Sequence, residues 1–340
     1  MSAQFAPIRT AFEPLQAAVS APQLSLTSQR STRRVEFEPK YGGGRCGVEV
    51  SYLWQGAPDA PTVIVQGGIS ADRDVLTAEH DSRPGWWQAL VGEGLAVDLR
   101  HCRVLSINWL TPCELGDATA VSTEDQANAL SALVDALGIG HVAAFIGSSY
   151  GAMVALAFAA LHPGQLGRLV LLAGAHRAHP ISTALRSVQR GIVRLGQSSG
   201  QLDEALGLAR QLAMTTYRGS EEFARRFSAA PEFREDRFHF PVEDYLAQAG
   251  RRFVERFDAE RFLALSESID LHDVAPEQVS TPATLVGFPS DRLVPLADLC
   301  ELQRRLSGPA TLEVVESLYG HDGFLKETEQ LAPLLREALR

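Results

Sequence analysis

The sequence predicts an α/β protein: a mostly parallel, doubly wound sheet with a helical cap inserted late in the chain. Three observations carry this. Short runs rich in Val, Ile and Leu recur at 48–54, 62–66, 103–107, 142–146, 168–172, 283–287 and 312–316, as buried parallel strands do. Helical patterns lie between them and supply the crossovers that parallel strands need. Between the runs at 168–172 and 283–287 stand over a hundred residues with almost no strand pattern and many arginines. That is too long for a crossover and too periodic for a loop.

Taken in order, residues 1–45 are polar, broken by proline and ended by "YGGGRCG", the pattern of an extended N-terminal arm. The core is expected at 46–177 and 263–340, and the helical cap at 178–262. One crossover helix is clear in "STEDQANALSALVDALGI". Ser122 caps it with Asp125 three residues on, Leu130, Leu133, Val134 and Leu137 form its apolar stripe, and Gly138 ends it. The length of 340 residues suits one large core plus an insertion.

The balance of 31 basic against 41 acidic side chains gives a net charge of −10, which argues against a nucleic-acid or anionic-membrane partner. An anionic ligand must find a local basic patch. Cys46, Cys102, Cys113 and Cys300 form no CxxC pair and no metal-ligand spacing. Reduced thiols, no metal and a cytoplasmic location are therefore expected. No apolar run matches a secretory signal or a membrane span.

The chemistry begins at "HVAAFIGSSYGAMVALAFAALHP", where a strand enters a Gly-Ser turn and leaves as an Ala-rich helix. The frame Gly147-Ser148-Ser149-Tyr150-Gly151 matches G-x-S-x-G, the nucleophile elbow, in which glycines flank a serine on a cramped strand-to-helix turn. Ser149 holds the nucleophile position. The Tyr150 N–H, at the helix start, faces a developing oxyanion, and the Ile69 N–H after "TVIVQGG" is the expected second donor. A packing turn with no chemistry is the plainer alternative at both places. The chain order of such triads is Ser, Asp or Glu, His. Asp291 follows the strand "ATLVG", and His321 follows the last strand. Of the histidines downstream of the elbow helix, His176, His179, His239, His272 and His321, only His321 has that place.

With those residues placed, the chain resembles the homoserine O-acyltransferase family of the α/β-hydrolase fold, from about Val48 to the C-terminus. The resemblance rests on "GWWQALVGEGLAVDLRHCRVLSIN", the elbow segment, "VEDYLAQAGRRFVERFDAERFLALSESIDLHD", "SDRLVP" and "YGHDGFL". It implies the α/β-hydrolase fold, the triad Ser149, Asp291 and His321, and succinyl-CoA or acetyl-CoA as co-substrate with no bound cofactor. It further implies L-homoserine as acceptor, a place in methionine biosynthesis, and a homodimer joined through cap helices. Arg190 is implied to pair with the substrate α-carboxylate and Asp322 with its α-ammonium. The sequence departs from the family's usual pattern at Ser148, Tyr150 and Ala152 of the elbow, at the turn Gly68-Ile69-Ser70-Ala71, and in a compact loop after Asn108.

These departures bear on the donor. A succinyl carboxylate needs a cation or several donors in its pocket, and an acetyl group does not. Arg292 beside Asp291, with the hydroxyls of Ser70, Ser148 and Tyr150, favours succinyl-CoA; an Arg292 facing solvent is the alternative. Cap arginines Arg186, Arg190, Arg194, Arg225 and Arg226 are candidates for the phosphates of CoA. Serine as acceptor, an esterase or lactonase on the same triad, and a binding module that has lost catalysis are the other functions the residues allow.

Overall fold

A computed structural model describes residues 27–77 and 83–340, so residues 1–26 of the expected arm lie outside the described residues. The first strands are β1 (Thr27–Phe37), β2 (Cys46–Gly56), β3 (Thr62–Gln66), the short pair β4 (Val91–Gly92) and β5 (Val97–Asp98), and β6 (Arg103–Ile107). β7 (Val142–Ser148), β8 (Leu169–Leu172), the hairpin β9 (Glu232–Arg234) and β10 (Arg237–His239), β11 (Ala283–Gly287) and β12 (Ala310–Val314) follow. Eight of them make one sheet in the order β1-β2-β6-β3-β7-β8-β11-β12. β2 runs antiparallel to both β1 and β6, and every other pairing is parallel.

Three boundaries differ from expectation, two of them in the sheet. Residues 27–37, placed by the sequence in an arm, are an edge strand of the sheet, paired along their length with β2. Only Val35 and Phe37 of β1 are buried, while its outward positions carry Ser, Thr and Arg, so no apolar run marks it. Charged edges of this kind also discourage pairing with another chain. The last strand lies at 310–314, two residues before its expected place.

Alternation along β3 divides the core. Ile64 joins Leu105 and Phe145 on one face, under α1 (Thr123–Ala136) and α2 (Tyr150–Leu161). Val63 and Val65 join Val104, Ile146 and Phe288 on the other, against Leu331 and Leu335. α1 starts as the sequence predicts: the Ser122 Oγ accepts the Asp125 N–H at 3.1 Å, and the Asp125 carboxylate accepts the Ser122 N–H at 2.7 Å.

After β8 come α3 (Pro180–Ser199), α4 (Leu202–Tyr217), α5 (Ser220–Arg226), α6 (Pro241–Val254) and α7 (Ala259–Asp270). The helical segment thus runs past the expected limit of 262, because Asp258 opens α7 by accepting the Arg261 N–H at 2.8 Å. The chain closes with α8 (Leu296–Arg305), α9 (Gly323–Lys326) and α10 (Thr328–Ala338). No helix among the described residues is long and apolar enough to cross a membrane.

The cap meets the core at a close seam. Gly320 has φ +60°, and a Cβ there would stand 2.8 Å from the Tyr217 carbonyl oxygen and 2.9 Å from the Gly219 nitrogen. A Cβ on Gly219 would in turn strike the Leu318 carbonyl. Residues 217–219, between α4 and α5, therefore lie backbone to backbone against residues 318–320.

Candidate active site

Ser149 stands between β7 and α2 at φ 54°, ψ −116°, a conformation that a non-glycine residue holds only when its surroundings impose it. They do so through the glycines. A Cβ on Gly147 would strike the Gly151 carbonyl, and one on Gly151 would strike the carbonyl of Gln66. The strained turn lifts the Ser149 Oγ off the sheet, where it donates to His321 Nε2 at 2.8 Å. His321 Nδ1–H donates to Asp291 Oδ2 at 2.7 Å, and the other carboxylate oxygen accepts the Leu293 and Val294 N–H groups at 2.8 and 3.1 Å. Asp291 follows β11 and His321 follows β12, so three strand ends bring the relay together.

Asp291 and His321 are both buried. Burial alone pushes the imidazole pKa down, but the charge and hydrogen bond of Asp291 outweigh it, with Asp322 adding, and the result lies above the ordinary 6.5. The imidazolium that would form on taking the Ser149 proton is thereby stabilised.

The Tyr150 N–H opens α2 and by position has no acceptor within the helix. No acceptor takes the Ile69 N–H among the described residues. A Cβ built on Gly68 would be 3.9 Å from the Ser149 Oγ, so the Gly68–Ile69 peptide flanks the nucleophile. Its orientation comes from Trp109, which the sequence reasoning passed over. The buried indole Nε1–H donates to the Gly68 carbonyl at 3.0 Å, and the Ala71 N–H donates to the same oxygen at 3.0 Å. Across a trans peptide this turns the Ile69 N–H the opposite way. The Trp109 ring also packs edge-on against Tyr150, centroids 4.8 Å apart. Trp109→Phe keeps the ring and removes the donor, so kcat should fall by about tenfold to a hundredfold with both substrate KM values held, a loss below that of a whole oxyanion donor. A KM change without a kcat change in steady-state assays would contradict this positioning role.

A cavity of about 870 Å³ opens over Ser149 and His321, lined from the cap by α3, α4, α6 and α7. Several expected residues stand elsewhere. Arg190 is buried outside the cavity lining, its Nη1 donating to Asp270 at 2.7 Å and to the Ser266 backbone and hydroxyl at 3.1 Å. Burial pushes the Asp270 carboxyl up, but Arg186 and Arg190 more than reverse it, so the pair is ionised and occupied. Arg190 Nη1 is thus committed to Asp270 and Ser266. Arg292 is exposed and lines no part of the cavity. Of the hydroxyls expected to favour succinyl, Ser70 borders the cavity, Ser148 is fully buried outside its lining, and the Tyr150 hydroxyl is bonded to the Ser268 Oγ at 2.7 Å. Of the cap arginines proposed for phosphate, Arg186 reaches the cavity but is held by Asp270 at 2.6 Å. Arg194, Arg225 and Arg226 do not line it.

Asp322 does line the cavity, 3.0 Å from the Arg218 Nε. The cation that sequence reasoning missed is Arg210. It lines the cavity from α4, lies over the rings of Tyr217 (5.2 Å) and Phe253 (4.8 Å), and has no carboxylate partner among the described residues. Tyr217 in turn is 6.0 Å from the His321 ring. The signal was the seven-residue spacing from Arg210 to Tyr217, two turns on one helix face.

The α/β-hydrolase fold family matches residues 61–328. A homoserine O-succinyltransferase of Xanthomonas campestris pv. campestris is 44% identical over 302 residues, covering 89% of this chain and 82% of that one. A serine O-succinyltransferase of Litchfieldella anticariensis is 31% identical over 316 residues, 80% of this chain and 86% of its own. Among solved structures, a homoserine O-acetyltransferase from Bacillus anthracis superposes with a TM-score of 0.82 at 17% identity, covering 93% of this chain and 98% of that chain.

Proposed function

Since the chain belongs to the homoserine O-acyltransferase family of the α/β-hydrolase fold, we propose that it transfers an acyl group, succinyl in preference to acetyl, from CoA to the side-chain hydroxyl of L-homoserine. The observation that carries this is the Ser149–His321–Asp291 relay on a cavity lined by Arg210, which has no carboxylate partner among the described residues, and by the carboxylate of Asp322, which shares its charge with Arg218 at 3.0 Å. A zwitterionic amino acid needs one charge of each sign, and a simple ester needs neither. The succinyl preference is supported by the 44% relative, and no longer by Arg292.

The Ser149 Oγ attacks the thioester carbonyl and its proton passes to His321 Nε2, while the Ile69 and Tyr150 N–H groups hold the oxyanion. His321 returns that proton to the departing thiolate. The homoserine hydroxyl then gives its proton to His321, attacks the acyl-serine, and leaves as the O-acyl ester as Ser149 is reprotonated. The product carries a good leaving group at its γ-carbon, which suits the sulfur displacement of methionine biosynthesis.

Thiol release from succinyl-CoA and acetyl-CoA, each with homoserine, serine or neither, tests the assignment. Release should be fastest with succinyl-CoA and homoserine. A serine preference would move the chain to the acceptor of its 31% relative, and release unaffected by either amino acid would make it a hydrolase. Arg210→Gln should raise the homoserine KM by about tenfold to a hundredfold, the worth of a charge-assisted hydrogen bond. Arg190→Gln should lower the melting temperature instead, and a homoserine KM that follows Arg190 rather than Arg210 would reverse the two roles.

The four cysteines are free, which supports a reducing, cytoplasmic setting. Ile181, Val188 and Leu195 recur every seven residues along α3 and are exposed, as is Leu208 on α4. This apolar stripe supports a homodimer through the cap, and a monomeric mass by light scattering at micromolar protein would remove it.

A further inference from the structure

Two more arginines of the cavity lining, Arg256 and Arg261, have no carboxylate partner among the described residues, although Glu255, Asp258 and Glu260 are their sequence neighbours. Arg261 is placed by aromatic rings, and Arg256 by the backbone of α6. From His321 the contacts run to Tyr217, to Arg210 over Tyr217 and Phe253, from Phe253 to the stacked Phe257 (4.8 Å, 28°), and on to Arg261, which lies 5.6 Å over Phe257. The cap thus holds two cations along one series of ring contacts, Arg210 separated from His321 by Tyr217, and Arg261 beyond the aromatic pair Phe253 and Phe257. Arg256 stands next to Phe257 in the chain. Its Nε–H donates to the Arg252 carbonyl at 3.2 Å, which fixes the stem and leaves both terminal nitrogens for a ligand.

On a chain of net charge −10, guanidiniums that border a cavity, half-buried Arg261 and exposed Arg256, and have no carboxylate partner among the described residues suit an anion. The acyl donor of the proposed reaction carries its phosphates at the end remote from the thioester. We propose that Arg256 and Arg261 form the phosphate subsite for that donor, while Arg210, at the inner end of the series, takes the amino-acid carboxylate. This rests on the proposed acyl-CoA dependence, and it shifts the phosphate site from the paired or outlying arginines of α3 and α5 to the junction of α6 and α7. Stacking on Phe257 pre-organises the planar fork of Arg261 for phosphate, and the same stacking makes lysine a poor substitute there.

The test is CoA binding by calorimetry, together with kcat/KM for succinyl-CoA, its dephospho form and the matching pantetheine thioester. In Arg256→Gln and in Arg261→Gln the Kd for CoA should rise by about tenfold each, and its salt dependence should become shallower. The ratio of kcat/KM for the CoA thioester to that for the pantetheine thioester should fall by about the same factor. An equal response of the CoA and dephospho-CoA thioesters assigns the pyrophosphate, and a response confined to CoA assigns the ribose phosphate. Wild-type protein that binds CoA, with both variants within twofold of it, would overturn the subsite and leave the acyltransferase assignment intact. Wild-type protein that binds no CoA would overturn both. Arg261→Lys serves as a charge-preserving check: binding recovered only in part fits a bidentate fork, and full loss with a normal melting temperature fits it too, whereas full recovery would reduce the site to general charge.

Discussion

Alanine at position 149 should reduce acyl transfer by about 10⁴-fold or more, leaving only what the oxyanion donors and binding groups supply without a nucleophile. The size of the effect follows from the relay, because the proposed mechanism makes Ser149 Oγ the atom that becomes an ester and no other hydroxyl among the described residues is bonded to His321. Wild-type initial rates, with both substrates varied, should give the parallel double-reciprocal lines of a ping-pong mechanism, and a brief mix with succinyl-CoA should add the acyl mass to the protein. Intersecting lines, or a Ser149→Ala enzyme that keeps a tenth of its activity, would mean direct transfer from CoA to the amino acid.

Asp291→Asn should cost about 10⁴-fold in kcat, because an amide in place of the Oδ2 acceptor no longer selects the tautomer that leaves Nε2 free for Ser149. It should also move the pH profile. His321 acts as base only when neutral, so wild-type kcat/KM should fall on the acid side, through a pKa that Asp291 holds above 6.5. Without the carboxylate charge, burial dominates and the imidazole pKa drops, so the acid limb of the residual activity should shift to lower pH. An acid limb that stays in place would mean another group controls it.

The elbow and the hydrogen-bonded set Ser149, His321 and Asp291 were legible because each rests on local backbone events: two glycines around a serine, and an Asp and a His in the loops after strands. The cation that reaches the cavity was not. Arg190 and Arg210 are both helix arginines, and what separates them is Asp270, eighty residues from Arg190 along the chain, which the fold brings to one and not to the other. Arg292 failed for a related reason. It is next to Asp291, but successive side chains in a tight turn point apart, and the turn that aims Asp291 inward aims Arg292 outward. β1 escaped notice because an edge strand with one wet face has little apolar pattern to read. Trp109 could not be assigned from sequence at all, since its role lies in one bond to a carbonyl forty-one residues earlier.

The seam between residues 217–219 and 318–320 sets how traffic through the cavity must work. His321 is the next residue after that contact, and Tyr217 is the residue whose ring faces it. A hinge that raised the corner between α4 and α5 would pull away the support of the base at the moment of access. Entry and readiness would then alternate, and each turnover would wait for closure. With the two backbones in contact at Gly219 and Gly320, cap corner and base would move together, and the cycle is expected to run without a slow opening of this corner. The pace of product escape should then follow solvent viscosity, as diffusion through a standing opening does, with no added millisecond exchange of the cap to limit it.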